Sequence, residues 1–84
     1  MPDGKLINLA RMQSGQSGVV VQIEAGYGLT NRLSALGIRP GKRITKVSSM
    51  MMRGPVTVQV DSTHVAMGSG MARRVIVELG EAAV

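Results

Sequence analysis

Short apolar runs alternate with glycine and proline along this chain, at a spacing of roughly ten residues, as in all-β sandwiches and barrels. From Val56 to Val60 the alternation is strict: Val56, Val58 and Val60 fall on one side, Thr57 and Gln59 on the other. That is the period of a half-buried strand. Val19–Glu24 predicts another strand, with Val19, Val21 and Ile23 sharing one face and Val20, Gln22 and Glu24 the other. A third runs from Gly41 through Val47 towards Met52. There Ile44 and Val47 have opposite parity, so the strand needs a bulge or a strong bend. Val65 and Met67 share a face of a fourth strand after the tight Asp61-Ser62-Thr63 connection, and Val75–Leu79 supplies the fifth.

The period changes in two places. Leu29, Leu33 and Leu36 recur at i, i+4 and i+7, one face of a helix of about two turns. Its end is written in the residues that follow. Gly37 suits the left-handed position, Ile38 is the apolar residue that folds back on Leu33, and Pro40 blocks continuation. Leu29, Leu33, Leu36 and Ile38 are therefore expected in the core, with Arg32 and Ser34 pointing away. Near the start, Leu6, Leu9 and Met12 at i, i+3 and i+6 predict a single helical turn or an arm across the barrel. Gly26-Tyr27-Gly28 reads as a turn, Gly68-Ser69-Gly70 as a break, and Met71-Ala72 as one turn of 3₁₀ helix. The expected fold is mainly β: a small SH3-like five-stranded barrel with one short helix in an early connection. It forms a single domain over residues 1–84, with a core of about 6–79 and a fraying tail from Gly80.

Composition sharpens this picture. The 84 residues contain no Phe, no Trp, no Cys and one Tyr. The core must be built from Val, Ile, Leu, Met and Ala, which suit a narrow barrel interior. Disulfides and thiolate metal sites are excluded, and the chain fits a reducing compartment. The longest apolar runs, Val19–Val21 and Met50–Met52 among them, fall far short of the ~20 residues of a membrane span. The first residues show no basic segment followed by an apolar one, so no signal peptide is expected, and the protein should be cytoplasmic.

The net charge of +5 directs attention to an anionic partner. Arg39, Lys42, Arg43 and Lys46 lie in one turn and the strand after it, with Arg53 at its far end. Lys42 and Lys46 share a face, opposite Arg43. Small barrels that bind nucleic acid combine such charge with aromatic stacking. Tyr27 is the only ring, so an acidic protein surface is the better partner and nucleic acid is not expected. Partner contacts are expected from two surfaces. One is the outer side of the Leu29–Leu36 helix with Arg32 and Arg39, and the other is the Met50–Arg53 strand end. The candidate contact residues are Arg32, Arg39, Lys42, Arg43, Met51 and Arg53. Membrane contact would come only through the partner, and exposed edges allow a homo-oligomer.

Catalytic chemistry finds no footing. A nucleophile needs a base and an orienting group, and His64 is the only histidine. Asp61 and His64 are the only pairing that offers metal ligands, fewer than transition metals require, so no cofactor is expected beyond a weakly held divalent transition metal. Thioethers of Met50-Met51-Met52 suit Cu(I), but on a strand they do not converge and serve better as packing and contact groups. Gly26-x-Gly28 lacks the third glycine and the βαβ unit of a dinucleotide site.

The order of features matches a known family. It runs Leu6-x-x-Leu9, Gly15-x-x-Gly18-x-Val20, then Arg32-Leu33-x-x-Leu36-Gly37-Ile38-x-Pro40-Gly41-x-x-Ile44. Gly54-Pro55-Val56-x-Val58-x-Val60, Val65-Ala66, Ala72 and Val75-Ile76-Val77 complete it. This pattern resembles FeoA, most specifically from Arg32 to Gly41, over residues 6–79. It also resembles the C-terminal SH3-like domain of metal-dependent repressors of the diphtheria-toxin-repressor type. The family often has an Arg and an acid near Ala72, where this chain has Met67-Gly68-Ser69-Gly70-Met71. The resemblance implies a non-enzymatic accessory of ferrous iron transport. Its implied partner is FeoB, the membrane permease with a cytoplasmic GTP-binding domain. The alternatives are a nucleic-acid-binding barrel and a metal-sensing regulatory domain.

Overall fold

A computed structural model describes residues 5–49 and 55–80, without the side chains of Ser48 and Ser49. Six strands form one antiparallel sheet: β1 (Lys5–Asn8), β2 (Ser17–Ile23), β3 (Arg43–Ser49), β4 (Val56–Val60), β5 (Thr63–Met67) and β6 (Val75–Leu79). Their order is β1-β6-β2-β3-β4-β5. The helix α1 (Tyr27–Ala35) connects β2 to β3, and a one-turn helix α2 (Ser69–Ala72) connects β5 to β6.

The chain has six strands where the sequence predicts five. Leu6–Met12 is not a single helical turn. Lys5–Asn8 pairs with β6 as β1, and only Leu9–Arg11 is helical, as a 3₁₀ turn. Asn8 caps that turn by accepting from the Arg11 N–H at 3.1 Å. The residues at Met71-Ala72 belong to α2, whose Ala72 N–H bonds Gly68 O at 3.0 Å, an α-helical span where a 3₁₀ turn is expected. Tyr27 and Gly28 open α1, with Gly26 as its N-cap. No pairing between β1 and β5 joins the two ends of the sheet among the described residues.

The core lies against the inner face of the sheet. Val20, Ile44, Val56, Val58, Val60, Val65, Met67, Val75 and Val77 come from strands, Leu33 and Ile38 from α1 and its exit, and Leu9, Met12 and Ala72 from the short turns. It is aliphatic throughout, with the one aromatic ring, Tyr27, 81% exposed. Two bulges re-aim side chains. In β2, Val20 faces Val77 and Ile23 faces Val75, with Val21 as the extra residue between. Val20 and Ile23 therefore share the inner face, whereas uninterrupted alternation puts Val19, Val21 and Ile23 together. In β3 the extra residue is Val47, as its parity requires: Lys46 faces Val58 and Ser48 faces Thr57.

The exit of α1 follows its sequence signature. Leu36 is the C-cap, Gly37 has φ of 96°, the Gly37 N–H bonds Ser34 O and the Ile38 N–H bonds Leu33 O, each at 2.9 Å. This is the Schellman pair of hydrogen bonds, and it drops Ile38 into the core beside Leu33. Leu36, expected inside, is 47% exposed.

Candidate docking surface

No acidic residue occurs between Glu24 and Asp61, and that stretch carries Arg32, Arg39, Lys42, Arg43, Lys46 and Arg53. The fold does not keep these cations together. Arg32 lies exposed in the last turn of α1, where a cation also complements the negative end of the helix dipole. Arg39 emerges just past the Schellman turn, exposed, and its Nη1 donates to Ser34 O at 3.3 Å. It therefore lies back over the same helix end. Arg32 and Arg39, with Leu36, form one exposed basic and apolar surface at the C-terminal end of α1. Tyr27 stands exposed at the other end of the helix.

Lys42 and Arg43 diverge from it. Lys42 stands just before β3 at the rim of the sheet and forms an ion pair with Asp61, Nζ to Oδ2 at 2.8 Å. Arg43 faces outward, directly across from Val19. Lys46 leaves the cluster altogether. Although β3 begins at the surface, Lys46 stands on the Ile44 side of the strand and is 1% exposed. Its Nζ donates to the carbonyl oxygens of Leu9, Ala10 and Met12 at 3.2, 3.1 and 2.6 Å. Burial lowers its pKa from the ordinary 10.5. Sequence parity contained the signal, since residues 44 and 46 share a face, but no sequence pattern announces three carbonyl oxygens 34 to 37 residues away.

Asp61 and His64 do not converge on a ligand. Asp61 turns to Lys42, and His64 is exposed on the outer face opposite Gln59. No group of three His, Cys, Asp or Glu able to hold a metal occurs among the described residues. Met51 and Arg53 lie outside the described residues.

The basic helix end and the Gly37-Ile38 exit fall in the segment, Arg32 to Gly41, on which the family resemblance is most specific. Residues 7–79 match the FeoA domain. The chain belongs to the FeoA domain family.

FeoA-family chains are non-enzymatic, and this one is similar to two named relatives over 87% of its length. Both are called "Putative Fe(2+) transport protein A". That of Methanocaldococcus jannaschii is 32% identical over 73 residues, covering 87% of the relative. That of Campylobacter jejuni subsp. jejuni is 27% identical over 73 residues, covering 99%. A crystal structure of an iron uptake regulatory protein (FeoA) superposes with a TM-score of 0.84 at 32% identity, covering 89% of this chain and 99% of that one. A manganese-dependent transcriptional repressor shares the fold at 24% identity, with a TM-score of 0.81 over 94% of this chain and 44% of the repressor. No helix among the described residues is long and apolar enough to cross a membrane.

Proposed function

We propose that this FeoA-family chain is a cytoplasmic accessory protein of ferrous iron uptake that docks on the FeoB permease. The docking surface is the C-terminal end of α1, with Arg32 and Arg39 as charged contacts and Leu36 as the apolar one. Met51 and Arg53 belong to the same proposal as a second contact.

One observation carries the reading. The α1 end combines arginines with an exposed aliphatic side chain, in a stretch without a single acid from residue 25 to residue 60. Arg is enriched at protein interfaces, an exposed apolar side chain beside it adds area to bury, and a positively charged surface selects an acidic partner and speeds encounter with it. The names of the two relatives, which refer to Fe(2+) transport, support the physiological setting. Nucleic-acid binding is disfavoured because Tyr27 offers one stacking position, where single-strand binders use several.

Affinity purification of the tagged chain from its host tests this. The wild-type chain should bring down a large membrane permease with a GTP-binding domain, identified by mass. An Arg32→Glu/Arg39→Glu variant of unchanged fold should lose it. Recovery of nucleic acid in place of a permease, or equal recovery with the variant, would overturn the reading.

A further inference from the structure

The outer face of the sheet carries a row of four residues set by strand register. Leu6 of β1 pairs with Glu78 of β6, Glu78 with Val19 of β2, and Val19 with Arg43 of β3. Directly opposed residues share a face, and the neighbours Val20, Ile44 and Val77 are the buried ones, so this row faces out. Leu6 is 61% exposed. Ile76 is diagonal to Leu6, and the two line a shallow groove with Ile7, Asn8 and Arg11. The bulged Val21 adds an exposed apolar side chain one strand further on. Glu78 is half-buried among Leu6, Val19 and Ile76.

The row has an electrical order. Glu78 and Arg43 flank Val19, one strand away on either side. Strand spacing puts their backbones about 10 Å apart, with Val19 between them, and the two side chains do not pair with each other. Neither makes one among the described residues, where the only ion pair is Lys42–Asp61. A negative charge, an apolar centre and a positive charge in line make a self-complementary pattern. Rotation by 180° about an axis lying along β2 sets Val19 against Val19 and Glu78 against Arg43 of the second copy, twice.

We propose that two copies of this chain pair face to face through β6-β2-β3, about a two-fold axis along β2. Glu78–Arg43 ion pairs flank a centre of Val19, and Ile76 and Val21 lie further along β6 and β2 on the same side. Aligned sheets pack about 10 Å apart, which leaves room for these aliphatic side chains between them. An isologous contact of this kind closes at the dimer. The net charge of +5 on each copy opposes association, so the dimer is concentration-dependent. The contact does not use Arg32 or Arg39, so the pairing stands apart from the proposed docking.

Sedimentation equilibrium from micromolar to near-millimolar protein at physiological ionic strength tests the proposal. The wild-type chain is expected to pass from monomer to dimer. Glu78→Arg and Arg43→Glu should each weaken dimerisation at least about tenfold. The combined Glu78→Arg/Arg43→Glu chain should regain it, because the swap restores both pairs. Circular dichroism melts accompany each variant. Where a reversal unfolds the chain, Glu78→Gln and Arg43→Gln give the same comparison, each weakening the dimer. A wild-type chain that stays monomeric, a trimer or larger species, or a double swap as monomeric as the single reversals would overturn it.

Discussion

The Nζ of Lys46 lies 2.6 Å from the carbonyl oxygen of Met12. With Leu9 O and Ala10 O as its other acceptors, one ammonium satisfies three carbonyls at the 3₁₀ turn that follows β1. The Lys46 backbone holds the next stretch, since its N–H bonds Gln16 O at 2.9 Å and its C=O accepts from the Gly15 N–H at 2.8 Å. One residue of β3 thus anchors the whole segment from Leu9 to Gln16. Lys46→Met fills similar space but takes the donor from Ala10 O and Met12 O, while Leu9 O keeps the Met12 N–H at 3.2 Å. Each buried, unpartnered group costs ~1–3 kcal/mol, so the total loss should be about 2–4 kcal/mol after partial hydration. At roughly 4–8 °C per kcal/mol for a domain of this size, a thermal melt should show a midpoint lower by at least about 8 °C.

The same lysine gives a pH dependence of defined sign. Burial disfavours its charged form, so its folded pKa lies below the ordinary 10.5. The unfolded chain then binds more protons between the two values, and stability contributed by this group rises with pH across that window. It is complete above 10.5 and lost as pH falls through the folded value. Urea titrations at stepped alkaline pH should show this rise in the wild type as an excess over Lys46→Met. An identical pH profile in the two proteins would contradict the assignment.

Gly18 is required by contact with β6. A Cβ there would stand 2.5 Å from Val77 Cγ1 and 2.7 Å from Glu78 O. The carbonyl belongs to a paired central strand and cannot retreat. Gly18→Ala should cost about 2–3 kcal/mol, at the upper end of overpacking penalties. Gly70→Ala meets nothing within 4 Å in α2 and should be neutral or slightly stabilising. Chemical denaturation of the two variants checks the contrast.

Asp61 joins β4 to β5 with φ of 57° and pairs with Lys42. The pair is partly open to solvent, so the charge itself is worth no more than about 1 kcal/mol. Asn tolerates positive φ, whereas Ala does not. Asp61→Asn should therefore be milder than Asp61→Ala, and the excess cost of Ala should persist in a Lys42→Met background. Denaturation midpoints of the four variants decide it.

What the sequence disclosed depended on whether local pattern and tertiary role coincided. In Val56–Val60 the period of two survives because β5 pairs with it without interruption and the bulge in its pairing with β3 falls on β3, at Val47. The Gly37-Ile38 exit was legible because a Schellman turn is a local motif. Leu6, Leu9 and Met12 mislead: their helical spacing is shared by an outward strand residue and two inward residues at the two ends of the 3₁₀ turn. In β2, Val21 interrupts the count, so the inner face falls to Val20 and Ile23. Lys46 reads as surface charge because its partners lie beyond any local window. Leu36 continues the leucine spacing but is the C-cap, where the chain has already left the helix. Of the candidate docking residues, Arg32 and Arg39 stay together, while Lys42 turns to Asp61 and Arg43 to the outer sheet.

Ferrous iron uptake by intact cells tests the account most directly. A host lacking this chain should take up radioactive Fe(II) slowly and recover with the wild-type chain. Recovery should fail with Arg32→Glu/Arg39→Glu present at equal abundance. Uptake that is unchanged on deletion, or fully restored by the charge-reversed chain, would contradict an accessory that works through the end of α1.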